Sequence, residues 1–172
     1  MGLDVTAYER AERISGHEPT DDDYDHGIIE AFAYAPFAHA LDGMGELVDI
    51  PDRRFVPGCT SAGHWQTSGL EAFAQTSYGH YGRYRDALAL AVLGTDYAGF
   101  SGSVDAYVGR PFFDLLYFAD NEGTIGPVAS RRLADSYTSV PVEFDAAWMR
   151  GFHDDLRDCF ELAADTGLVQ FS

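Results

Sequence analysis

The chain has 172 residues, a hydrophobic fraction of 46% and a charge imbalance to explain: 28 acidic residues face 11 basic ones, for a net charge of −17. That length supports one core of ordinary size and not two comfortable domains, and the apolar content excludes a disordered chain. All the basic residues are arginines; the absence of lysine fits a GC-rich coding genome. A surface this negative repels phosphate backbones, so direct nucleic-acid binding is not expected.

No apolar run reaches the roughly 18–20 residues of a membrane span, and residues 1–5 do not open a secretory signal. Cys59 and Cys159 stand far apart without a metal or disulfide spacing, which points to two reduced thiols and a cytosolic setting in a host cell. No cofactor fingerprint, phosphate loop or zinc motif occurs, so neither a cofactor nor a metal is expected.

Along the chain, Leu3, Val5 and Ala7 alternate with polar residues and predict an opening strand over 3–14. Residues 15–27 read as a polar loop, and 28–34 as a second strand closed by Pro36. Residues 42–45 read as a turn, and Pro51 and Pro57 keep the next stretch irregular. Residues 59–77 are Gly-, Ser- and Thr-rich and predict two short strands around a turn at Ser68-Gly69. Tyr81, Tyr84, Leu88, Ala91 and Val92 have helical spacing, with Gly94 as the stop. A glycine-rich connection over 99–109 follows, then a short helix after Pro111.

The stretch Asp120 to Gly126 reads as a turn between two helices, the second begun by Pro127. The clearest element is the last helix, with Phe144, Trp148, Phe152, Leu156, Cys159, Phe160 and Ala163 on one face. Glu143 and Asp145 suit its positive end, Gly167 its stop, and residues 168–171 a returning edge strand. The whole, residues 1–172, is expected to be a single α+β domain: a small, mostly antiparallel sheet with three to four helices packed on it.

Four stretches together resemble a family of short proteins encoded by phages and prophages, a family with no settled function. They are the opening MGLDVTAY, the block Ser77 to Asp86, the segment Phe118 to Pro127, and Ala163 to Phe171. The family pattern has Cys where Asn121 stands and Trp where Tyr84 stands, so no thiol chemistry is assigned to that turn. What the resemblance implies is an accessory role in phage biology, such as antagonising host defence.

Two constellations carry candidate chemistry. Ser77, Tyr78, Tyr81, Arg83 and Arg85 combine flat aromatic faces with planar cations, as a base with its phosphate requires. The same spacing also serves a core stripe. Asp120, Asn121, Glu122, Gly123 and Thr124 offer carboxylates, neutral polar groups and close backbone approach, or simply a helix cap and tight turn. Arg131 and Arg132 are placed to add a phosphate contact from the same ligand, or simply to balance local acidity. His153-Asp154 resembles half of a metal-dependent phosphohydrolase pair, but further histidines at matching positions are missing.

The first expectation is therefore a protein that binds and sequesters a small phosphorylated or nucleotide-derived ligand, with both blocks side by side in one site. The alternatives are a hydrolase or lyase using Asp120, Glu122 or a histidine, and an acidic decoy covering a basic host surface. A homo-oligomer remains compatible with each.

Overall fold

The computed structural model describes residues 2–14, 20, 27–31, 63–118 and 123–172. Leu3, Val5 and Ala7 point to one side of β1 (Gly2–Arg13) and all are buried, the outcome that a two-residue side-chain period requires. β2 (Ile28–Ala31), β3 (Gly63–Ser77), β4 (Gly123–Ile125) and β5 (Leu168–Phe171) complete a curled five-stranded sheet of order β2-β3-β1-β5-β4. Every pairing is antiparallel.

Around the sheet lie α1 (Tyr78–Leu93), α2 (Tyr97–Gly102), α3 (Phe113–Tyr117), α4 (Pro127–Ser139) and α5 (Ala147–Ala163). One 3-10 turn covers Val104–Tyr107. This is the α+β domain expected, with five α-helices among the described residues where three to four were anticipated. α5 crosses the inner face of the sheet over β3 and β1. Its buried stripe is Phe152, Leu156, Cys159, Phe160 and Ala163. Trp148, expected on that stripe, is half-buried, and Phe144 is buried from the segment before the helix.

Several expectations need correction. Residues 63–77 form one long strand, because Ser68-Gly69 is a bulge and not a turn. Pairing with β1 shifts between Tyr8 and Arg10, Gly69 takes φ +90°, and the Leu70 N–H donates to Glu9 Oε2 at 2.8 Å. β5 is interior, since β4 covers its outer side. Gly123 and Thr124 therefore belong to a strand and not to a loop joining two helices. The glycine-rich connection contains α2 and the 3-10 turn.

Glu143 and Asp145 precede α5, whose first turn has no acidic residue. Instead the Arg150 guanidinium, in the first turn of α5, donates to the carbonyls of Phe144 and Asp145 at 2.6 and 2.8 Å. α5 is capped at Ala164, ahead of Gly167. Gly167 has a different reason to be glycine: a Cβ there would run into the Tyr8 carbonyl and lie 2.9 Å from Ala163 Cα. The polar loop over 15–26, the end of the second strand at 32–34, the turn at 42–45, Pro51, Pro57 and Cys59 lie outside the described residues.

Candidate functional site

α1 begins where β3 ends, and Ser77 makes the junction: its Oγ accepts the His80 N–H at 3.2 Å as an N-cap. Helical periodicity then sorts the candidate block into two groups. Tyr78 is half-buried and Arg83 exposed, whereas Tyr81 is 0% and Arg85 6% exposed. Tyr81 is thus a core residue, its ring within 6.3 Å of the rings of Tyr84, Phe152 and Phe171. In this conformation it has no face left for a base.

Arg85 lies between two tyrosine rings, with its guanidinium carbon 4.8 Å from the Tyr81 centroid and 4.4 Å from that of Tyr97. Its Nη1 donates to Tyr97 Oη at 3.0 Å and to the Phe118 carbonyl at 3.3 Å. These contacts hold the planar cation in one orientation. Tyr97 was not singled out in the sequence; it stands 12 positions beyond Arg85, between the stop at Gly94 and the glycine-rich connection over 99–109.

Asp120, Asn121 and Glu122 lie outside the described residues, but both flanks of their segment are placed. On one side is Phe118, whose ring packs 4.6 Å from Phe171. On the other is Gly123, which pairs with Phe171 in the sheet. Since Phe171 also meets Tyr81, the flanks of the segment converge on the buried side of α1. Thr124 is 0% exposed, and among the described residues its Oγ1 meets no hydrogen-bond partner; the buried Ser130 Oγ is in the same situation. Such orphaned hydroxyls are uncommon in folded proteins.

Arg132 approaches from α4: its Nε donates to Asp114 Oδ2 at 2.7 Å, and the Asp114 side chain is nearly buried. Arg85 and Arg132 therefore both anchor on the α3 segment, at Phe118 and at Asp114. Arg131 faces elsewhere, donating to the Ala164 carbonyl at 2.9 Å and to Asp165 at 3.0 Å.

A second cluster lies on the other side of α1. Tyr84 Oη is 2.8 Å from His153 Nδ1 and 3.3 Å from Tyr137 Oη. The rings of Tyr84, Tyr137, Phe112 and Phe144 stand 4.5 to 5.9 Å from the imidazole. Loss of hydration pushes the His153 pKa down to about 4, against a smaller upward pull from Asp154. Burial likewise raises both phenols. Phe112, beside this cluster, has φ +59°, a left-handed backbone that a bulky residue adopts only at a cost. His153 is thus held in an aromatic setting with its Nδ1 on the Tyr84 hydroxyl.

Among the described residues no group of three or more potential metal ligands occurs, and no helix is long and apolar enough to cross a membrane. Burial raises the Cys159 thiol to about 12, so it is no nucleophile in the folded state. Comparison with protein-family models, with curated proteins and with solved structures finds no match.

Proposed function

We propose that this protein binds a small phosphorylated ligand of nucleotide origin and holds it without turnover, beside the segment that joins α3 to β4. The observation that carries the reading is the pair Arg85 and Arg132, two oriented guanidiniums brought from different helices to one five-residue helix. In a chain whose cations are outnumbered 28 to 11, two such groups at one place are a costly arrangement. The carboxylates of Asp120 and Glu122 belong to the same segment and would accept from ribose or amino groups. With the family resemblance, sequestration of a nucleotide-derived host immune signal by a phage protein is the role that this chemistry fits.

Titration calorimetry with linear and cyclic nucleotides tests this. A binding nucleotide is expected, with Arg132→Met weakening it by about ten- to a hundredfold, the loss of one charge-assisted contact. Ligand recovered after heating the complex should be chemically intact. No binding across both nucleotide classes, or binding indifferent to Arg132→Met, would overturn the site. The Tyr84–His153 contact beside the strained Phe112 favours a second reading, a hydrolase or lyase; product in the recovered ligand would decide for it.

A further inference from the structure

β4 runs into α4 with only Gly126 between them. The N–H groups of a first helical turn have no intrahelical partner and are ordinarily met by a capping side chain. Pro127 supplies no N–H, and Gly126, the N-cap, has no side chain to accept from Val128 or Ala129. No acidic residue stands in that turn, and the next carries Arg131 and Arg132. Positive side chains near the positive end of a helix oppose its dipole.

Ser130 is an independent sign at the same place. Its N–H donates to the Gly126 carbonyl at 3.0 Å, yet its hydroxyl does not follow. Ser136 and Ser139 on the same helix each donate to the carbonyl four residues back, at 2.9 and 2.6 Å, a common outlet for a helical serine. Ser130 Oγ meets no partner among the described residues although Ser130 is 0% exposed. Cα–Cβ bonds lean toward the start of a helix, so this buried hydroxyl is aimed at the uncapped turn. Ala129 beside it is buried, whereas Pro127 is half-buried and Val128 is 54% exposed. The turn thus has one closed wall and one open to solvent.

We propose that the N-terminus of α4 seats a phosphate group, held by the N–H groups of Val128 and Ala129 and by the Ser130 hydroxyl. The seat places the phosphate end of the nucleotide-derived ligand and rests on that reading for the rest of the molecule. Arg132 follows the N-cap by six residues, about 9 Å along the helix axis, a reach that one ligand of nucleotide size spans. Water would satisfy a hydroxyl alone. The free N–H groups, the dipole and the two arginines, with no acid in the turn, select an anion.

Inorganic phosphate is the probe, followed by thermal unfolding of the full chain at constant ionic strength, with chloride as the comparison anion. Phosphate should raise the melting temperature saturably, and chloride should not. Ser130→Ala deletes a buried hydroxyl without a partner, so stability in the absence of phosphate should hold or rise. Its phosphate affinity should fall by about tenfold. Ser139→Ala, on a hydroxyl already bonded to the Asp135 carbonyl, should leave that affinity unchanged. Val128→Glu, on an exposed side chain, puts a carboxylate in the first turn and should abolish the phosphate response. No saturable response, or one equal in the wild type, Ser130→Ala and Val128→Glu, overturns the seat. Nucleotide binding that falls with Arg132→Met but ignores Ser130→Ala and Val128→Glu also overturns it and leaves the nucleotide reading standing. Phosphate binding lost in those two variants, with no nucleotide bound by the wild type, keeps the seat and overturns that reading.

Discussion

Acidification should destabilise this fold through one identifiable imidazole. His153 titrates near 6.5 in an unfolded chain and at about 4 in the native one. Between these values the unfolded state binds the extra proton, so stability is whole above about pH 6.5, falls as pH drops, and levels off below about pH 4. At about 1.4 kcal/mol per tenfold change in proton affinity, the gap bounds the loss at about 3 kcal/mol. The ring is only partly enclosed, which lowers the expectation to about 2 kcal/mol. The perturbation is His153→Phe, which keeps an aromatic ring among Tyr137, Phe112 and Phe144 and leaves Tyr84 Oη its contact with Tyr137. Urea denaturation at pH 7, 6, 5 and 4 gives the stability of both proteins. Titrating carboxylates such as Asp155 are common to the two, so the difference isolates the imidazole. The wild type should lose about 2 kcal/mol more than the variant between pH 7 and 4. Parallel curves, or an NMR titration placing His153 near 6.5, would refute the assignment.

Two further substitutions probe the frame of the site. Phe152→Ala removes a ring packed edge-on against Tyr81 and Tyr84 and should cost about 3–5 kcal/mol in urea denaturation; a cost under about 1 kcal/mol would mean that α5 is not fixed on α1 as described. Gly167→Ala pushes a methyl group into the Tyr8 and Glu9 carbonyls and should cost about 1–3 kcal/mol, lowering the melting temperature; a neutral outcome would mean that β5 shifts freely against β1.

What periodicity exposes, it exposed here: the stripes Tyr81, Tyr84, Leu88 and Phe152, Leu156, Phe160 are both buried. Punctuation was less dependable. Ser68-Gly69 has turn composition, yet the Glu9 carboxylate on the neighbouring strand absorbs the irregularity and the strand continues. β4, with three residues, is too short for alternation to declare itself and exists because β5 offers it an edge. In the candidate site, the arginines among tyrosines were visible as an anomaly. Which of them turned inward depended on one helical step: Arg83 faces out and Arg85 in. Tyr97 joined only through tertiary contacts, and these also separated Arg132 from Arg131, its fellow candidate. The pairing of Tyr84 with His153 spans 69 positions, and no local pattern encodes it.

Strand order has a consequence for biosynthesis. β1 lies at the centre of the sheet, yet one of its two neighbours is β5, made some 155 residues later. While the ribosome is still translating α5, β1 has β3 on one side and an open row of amide and carbonyl groups on the other. Native pairing of that edge must wait until residue 171 has cleared the exit tunnel. During that interval the exposed β1 edge is the place where a nascent chain is open to mispairing or to a chaperone.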